Sequence, residues 1–502
     1  MTSTAGGEAA ATADGAPLDD PDVGRAYEAA VAALADRGRF GIRLGLGRTR
    51  ALLRELGDPQ LAVRGALVAG TNGKGSVLAF AGAALRAAGL RAGETPKPHL
   101  VSYRERLQIG GRPVDAATFA RLVGDAVAAA DRLPRRLGDP TEFELLTAVV
   151  FRWFADQRID LALVEVGLGG RLDATHAWDG GVAAITNVDL DHTDRLGPTI
   201  AHIAREKAAI IERGDLAVTG AVGDARAIVR RRAARLGVPL TIVEPAPVVA
   251  VDRDGLVVEL ARLGRTRIGL RGRHQAANVA VADAILDALE AAGIAEVPAA
   301  SRRRGYAEAR WPGRLELLSV DGRDVLLDGA HNPAGAAALA AALDELRPFL
   351  GSGRLTLLTA SMADKDVAGV VDALAGAAAL RDARIVATTV GGSRALSADT
   401  LAGLWSGRAG RPGGAVMAKR SVVAEADLAA AVDQILAGPA GPVVVAGSLY
   451  LVGAVRARLV DDPLLHDPVP DETAARHAGA PPPARTVQSG PPGGDPGDNR
   501  PR

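Results

Sequence analysis

The chain has 502 residues, with 59 Lys or Arg balanced by 59 Asp or Glu, so nothing in its charge points to a nucleic acid or an anionic membrane as partner. It has no cysteine, which excludes disulfides, thiolate metal sites and thiol catalysis. No apolar run reaches the roughly 18 residues of a membrane span, and residues 1–22 lack the basic start and apolar stretch of a secretory signal, so a soluble cytoplasmic protein of two domains is expected.

In chain order, residues 1–22 are Ala/Gly/Thr-rich and read as disordered. Residues 63–69 read as a strand, 70–76 as a Gly-rich turn and 76–88 as a helix. Two further buried-type strands fall at 161–166 and 182–187, followed by a helix at 198–213 and a strand at 216–219. Alternating Val and Leu with Asp-Gly and Arg-Gly turns over 247–270 predict antiparallel hairpins, and 275–292 predicts a helix. Residues 300–310 have the polar composition of a linker. Beyond it strands at 324–327, 355–359, 383–387 and 443–446 each precede a helical pattern, and 461–502, rich in Pro, Gly, Asp and Arg, reads as a disordered tail. Strands alternating with helices imply parallel sheets covered by helices, an α/β protein.

Lys and Asn are scarce. There are five lysines (Lys74, Lys97, Lys207, Lys365, Lys419) and five asparagines (Asn72, Asn187, Asn278, Asn332, Asn499). Where Arg serves for generic charge, a retained Lys marks a need for a compact cation or an amine able to lose its proton. Lys74, Lys97, Lys207 and Lys365 are therefore functional candidates.

The strongest local signal is Gly70-Thr71-Asn72-Gly73-Lys74-Gly75-Ser76, placed between a strand and a helix. Glycines let backbone N–H groups close around phosphates, and the lysine reaches the terminal one; the alternative is a tight structural turn. Val68 stands where the ordinary motif has its first glycine, and Gly75 separates Lys74 from the Ser76 hydroxyl. Glu165 ends an apolar strand, where a carboxylate can hold the Mg²⁺ of a nucleotide or cap a neighbouring element. His192 lies in an Asp-rich turn and is a metal ligand or a structural histidine. Lys207 offers either an amine or a helix-surface partner for Glu206 or Glu212.

Taken in order, that loop, Pro98-His99-Leu100, Arg104-Glu105-Arg106, the run Glu165 to Thr175, Leu190-Asp191-His192-Thr193, Glu206-Lys207-Ala208, Gly272-Arg273-His274-Gln275, Trp311-Pro312-Gly313-Arg314, Asp328-Gly329-Ala330-His331-Asn332-Pro333 and Gly447 to Gly453 resemble the motifs of the folylpolyglutamate synthase/dihydrofolate synthase family of the Mur ligase superfamily. The resemblance implies a P-loop-containing Mur-ligase-like ATPase domain at 23–300 and a smaller Rossmann-like α/β domain at 311–460. It implies an ATP-dependent ligase that adds L-glutamate to a folate (tetrahydrofolate, dihydropteroate or both) through an acyl phosphate. Its partners would be small molecules, namely folate, L-glutamate and ATP, with no nucleic acid or membrane and a monomeric chain. The cofactor would be Mg²⁺, two ions, with ATP as co-substrate.

Carried over by position, Gly70 to Ser76 (Gly70, Thr71, Asn72, Gly73, Lys74, Gly75, Ser76), Asn278, Arg314, Asp328 and His331 would bind ATP. Glu165, His192 and Lys207, the last as a carbamate, would hold metal, and Lys74, His192 and Lys207 would be catalytic. Thr141, Phe143 and Asp173 would form the pterin-side pocket, and Lys365 and Ser448 would line the site. One departure stands out. Where the family reads Thr-Ser-Pro-His-Leu, with a serine that helps bind the first Mg²⁺, this chain has Pro96-Lys97-Pro98-His99-Leu100. An ammonium cannot replace a ligating hydroxyl, so Lys97 is expected to touch a phosphate, the alternative being a water in the vacated coordination position. Asp189 and His176 are milder departures. Another Mur-type amino-acid ligase and a catalytically inactive nucleotide-binding partner remain as alternatives.

Overall fold

Two parallel-rich sheets organise the residues described in this computed structural model: 20–38, 41, 43–392, 394–407 and 420–468. The first sheet contains β1 (Gly65–Ala69), β2 (Ala92–Thr95), β3 (Gln108–Ile109), β4 (Arg112–Pro113), β5 (Leu161–Glu165), β6 (Gly181–Ile185), β7 (Leu216–Thr219) and β8 (Leu240–Ile242), in the order β4-β3-β2-β5-β1-β6-β7-β8. Its six larger-scale neighbours from β2 to β8 are parallel, and only β3 and β4 run antiparallel. Helices bury both faces, which is why β1 and β5 read as unbroken apolar runs instead of alternating ones.

β9 (Val248–Asp252), β10 (Gly255–Leu260) and β11 (Gly264–Ile268) form the antiparallel hairpins expected from the Gly-containing turns. The second large sheet has β12 (Glu316–Val320), β13 (Arg323–Asp328), β14 (Thr356–Thr359), β15 (Arg384–Ala387), β16 (Ser421–Ala424) and β17 (Val443–Ala446), ordered β12-β13-β17-β14-β15-β16. Each large sheet carries an apolar core on either face.

The expected linker at 300–310 is corrected. Ala299–Glu308 is a helix that packs against the helix Lys74–Ala87. Gly305 makes that approach possible, because a Cβ there would lie 2.4 Å from the Ala84 backbone. One of its charges points inward: buried Arg302 meets Asp283 at 3.1 Å, Asp287 at 2.6 Å and Glu290 at 3.3 Å, and the Tyr306 hydroxyl donates to Asp283 at 2.8 Å. A polar composition therefore concealed a packed helix whose buried charge, Arg302, is answered by carboxylates.

The two ends also differ from expectation where they are described. Pro21 and Asp22 open the helix Pro21–Gly38. Past the last helix, Leu449–Leu459, the chain returns to the first domain. There Asp467 accepts from Ser102 Oγ at 2.6 Å and Arg104 Nε at 3.1 Å, and the His466 carbonyl accepts from Arg104 at 2.7 Å. Residues 1–19 and 469–502, the latter with Asn499, and Lys419 lie outside the described residues. No described helix is long and apolar enough to cross a membrane.

Candidate active site in the cleft between the sheets

The turn after β1 leaves the carboxyl end of a parallel sheet, the edge at which open α/β folds bind ligands. Its backbone is fixed from β6: Asn72 N–H donates to Asn187 Oδ1 at 2.8 Å, Thr71 N–H to the Asn187 carbonyl at 3.1 Å, and Thr186 Oγ1 to the Asn72 carbonyl at 2.7 Å. Glycine is required twice by close neighbours. A Cβ on Gly73, which has φ +81°, would lie 2.2 Å from Asn278 Oδ1, and one on Gly75 would lie 2.6 Å from the Trp311 ring. The departure of this loop from the ordinary motif thus has a cause in Trp311, which packs against a core of the first sheet. The helix Lys74–Ala87 begins here, with its first N–H groups unclaimed by the helix itself. Ser76 Oγ accepts from Gln275, which in turn accepts from Asn278 at 2.8 Å.

Lys74 Nζ folds over its own loop, 3.0 Å from the Gly70 carbonyl and 3.2 Å from that of Thr71, and 3.9 Å from Glu165 Oε1. Glu165 is buried at the end of β5, and its Oε2 accepts the Lys97 N–H at 3.0 Å. Burial raises its carboxyl pKa, while Lys74 and Lys97 pull it back down. Lys97 Nζ donates to the Glu165 carbonyl and sits 5.3 Å from the centre of the Phe143 ring. Burial brings its amine down to about 8, against the opposing pull of Asp173 and Glu165.

Lys207, on the helix Ile200–Ala208, points inward and donates to the Gly70 carbonyl at 2.8 Å. The surface-pair alternative fails, because Glu206 pairs with Arg171 at 2.8 Å and Glu212 with His176 at 3.2 Å. Burial and then the charge of Lys74 bring the Lys207 amine down to about 7. His192 sits at φ +50° beside Asp191. Asp191 accepts from Asn332 at 3.2 Å and pairs with Lys365 at 3.5 Å, both from the second domain. Asn332 also donates to Asn72 Oδ1 at 3.3 Å.

The second domain contributes a buried polar group at the end of β13. Asp328 accepts N–H bonds from Leu315 and Ala330, each at 2.9 Å, and Arg314 donates to the Gly313 carbonyl at 3.1 Å. The His331 ring donates to the Gly329 carbonyl at 2.8 Å, and burial lowers its pKa to about 4. On the opposite wall Thr141 caps the helix Glu142–Asp156 in a reciprocal box with Glu144. Asp173 accepts from Leu168 N at 2.7 Å and from Thr175 N and Oγ1 at 3.1 and 2.6 Å. Both are largely engaged in shaping their turns, so Phe143 is the part of this wall most open to a ligand.

These groups line one cleft of about 840 Å³, and every site residue expected from the sequence is on it, together with Lys365 and Ser448. The four lysines singled out by scarcity and the four described asparagines all line it. Asp189 lines it too, its backbone N and O exchanging hydrogen bonds with Thr71 Oγ1, whereas His176 does not. Sequence reasoning left Asn187 and Asn332 without roles, although their rarity marked them. It quoted Arg106 only as part of a motif and gave it no role, although its Nε donates to His99 Nδ1 at 2.9 Å and it lines the cleft.

Residues 313–449 match the family described as Mur ligase, glutamate ligase domain. The dihydrofolate synthase/folylpolyglutamate synthase of Bacillus subtilis is 33% identical over 359 residues, covering 70% of this chain and 83% of that protein. Among solved structures, Mycobacterium tuberculosis folylpolyglutamate synthase complexed with ADP and AMPPCP aligns with a TM-score of 0.76 at 31% identity, over 88% of this chain and 100% of that one. Escherichia coli FolC in complex with DHPP and ADP aligns with a TM-score of 0.71 at 28% identity, over 86% and 97%.

Proposed function

The chain belongs to the folylpolyglutamate synthase/dihydrofolate synthase family, and we propose that its cleft uses ATP to join L-glutamate to tetrahydrofolate, dihydropteroate or both. It is an ATP-dependent acid–amino-acid ligase. The observation that carries this reading is the meeting of a phosphate loop from one domain, the Arg314–Asp328–His331 group from the other and the Phe143 wall in a single cleft.

In this reading the loop N–H groups and Lys74 hold the triphosphate, and Arg314, Asp328, His331 and Asn278 orient the nucleotide. The acceptor carboxylate, seated by Phe143, attacks the γ-phosphorus. The O–P bond to ADP breaks as the acyl O–P bond forms. The glutamate amine then attacks the acyl carbon; phosphate leaves with its bonding pair and the amine gives up a proton. Positioning and fixed positive charge do most of the work.

Among the described residues no group of three His, Asp or Glu side chains could cage a metal ion. Mg²⁺ accepts one or two protein ligands plus phosphates and waters, so the Asp191–His192 turn fits an ion that arrives with ATP. Lys207, with its amine near neutrality, is suited to carry a carbamate there. When bound, the ion would shield phosphate charge. The donor set does not fit a second ion on Glu165, whose Oε2 already accepts the Lys97 main-chain N–H and whose Oε1 lies 3.9 Å from the Lys74 ammonium. A single chain supplies both walls of the cleft, which favours a monomer, and the reading places it in the cytoplasm with an ATP-binding domain at 23–300 and a ligase domain at 311–460.

ADP release measured with ATP, Mg²⁺ and glutamate, offering dihydropteroate and tetrahydrofolate separately, tests the reading. Glutamate-dependent release is expected with at least one acceptor. Release with neither would mean an inactive nucleotide-binding protein.

A further inference from the structure

Lys97 sits between the two halves of the proposed reaction. Its backbone N–H donates to Glu165 Oε2 at 3.0 Å and its Nζ to the Glu165 carbonyl, so the residue is tied at both ends to one strand terminus. On one side, Lys74 of the phosphate loop faces Glu165 Oε1 at 3.9 Å. On the other, the Phe143 ring of the acceptor wall lies 5.3 Å from the Lys97 ammonium. The terminal phosphate of ATP and the acceptor's carboxylate must meet in this gap, and both are anions.

The local charges are already arranged for that meeting. The Lys74 ammonium faces Glu165 Oε1 and the Lys97 ammonium rests on the main-chain carbonyl of the same residue, so two cations stand by one carboxylate. The next carboxylate, Asp173, accepts three hydrogen bonds from its own turn. A divalent cation added at Glu165 would therefore meet two fixed cations and only one carboxylate with an oxygen to offer. At such short range each like charge opposes the added ion.

We propose that the Lys97 ammonium is the fixed cation that bridges the γ-phosphate of ATP and the acceptor carboxylate, standing in for a divalent ion on Glu165. This rests on the ligase reading and adds to it that one metal ion fewer is needed. Lys97 donates hydrogen bonds to both anions as they approach, and its charge stays in place while the phosphoryl group passes between them. No proton, electron or leaving group is transferred to it. Its compact ammonium suits the role, since it is a point charge on a stem held by Phe143 and Glu165.

Counting bound Mn²⁺ by electron paramagnetic resonance, with the β,γ-methylene analogue of ATP and no folate or glutamate, tests the proposal apart from turnover. The wild-type chain is expected to bind one Mn²⁺ and the Lys97→Ser chain two. Lys97→Ser turnover should fall by roughly 10²-fold at low Mg²⁺, as for loss of one transition-state donor, and recover as Mg²⁺ is raised. Two Mn²⁺ in the wild type, or an unchanged count in a Lys97→Ser chain that still binds the analogue, overturns the proposal. The wild-type count decides the matter even if the variant does not fold. Absence of folate-dependent ADP release would strike the ligase reading and leave the metal count standing.

Discussion

A lysine buried away from water beside a second ammonium loses its proton more readily than one in water, and Lys207, brought down to about 7 by burial and then by Lys74, is poised to do so. Arginine keeps the charge but cannot give up the proton. Lys207→Arg should therefore lose about 10²-fold or more in turnover; steady-state ADP release within a few-fold of wild type would show that the free amine is not required. Asp215 makes a different prediction. Buried beside Asp179 and Glu212, its carboxyl is pushed up to about 7, chiefly by burial, against about 3.9 in an unfolded chain. The folded state thus binds the extra proton, so this contribution to stability is complete below about pH 4 and is lost as pH rises through about 7. Urea unfolding midpoints of wild type and Asp215→Asn at pH 5 and pH 8 should diverge, with the flatter dependence in the variant. An equal slope in both would remove Asp215 as the source. At this scale the site was largely legible, since scarcity alone named Lys74, Lys97, Lys207 and Lys365, all of which line the cleft. What stayed hidden were partners. That Lys97 hooks Glu165, or that Thr141 and Asp173 serve mainly as caps, depends on tertiary neighbours that spacing does not encode.

The helix Ala299–Glu308 holds the phosphate-loop helix from behind, and the contact turns on Gly305, whose hydrogen faces the Ala84 backbone. A methyl group there has backbone, not a flexible side chain, to displace. Gly305→Ala should lower stability by about 1–3 kcal/mol, the usual penalty of overpacking, and a thermal melt unchanged from wild type would contradict the close packing. The same element is where sequence reading failed. Ser301 to Arg304 looks like solvent-facing linker, because three of the four residues are arginine. Arg302 is nonetheless buried and answered by Asp283, Asp287 and Glu290, all from the helix Gln275–Ala291. By contrast β1, β5, β7 and β17 were readable within a residue or two, since strands buried on both faces leave continuous apolar runs.

For the molecule as a whole, the division into two α/β halves followed from the restart of strand–helix alternation, while the insertion of β17 between β13 and β14 could not be read from any local pattern. The halves meet at Asp191, which takes Asn332 and Lys365 across the cleft. Removing the Asn332 amide leaves Asp191 and Asn72 each without one donor. Asn332→Ala should weaken nucleotide binding by about tenfold, the equivalent of roughly 1.4 kcal/mol for a hydrogen bond to a charged group. Calorimetric titration with ADP at wild-type affinity would deny the junction a part in closing the cleft.

The bond between Arg104 and Asp467 sets a timetable. Arg104 is a buried cation whose guanidinium is otherwise met by the carbonyls of His466 and, from its own half, Val114. Its carboxylate partner is 363 residues further along the chain. At translation speeds of 5–20 residues per second, that separation is on the order of 20–70 s. For that interval the nascent first half carries a charge without its carboxylate beside the loop that presents Lys97 and His99, until Asp467 arrives to fasten it.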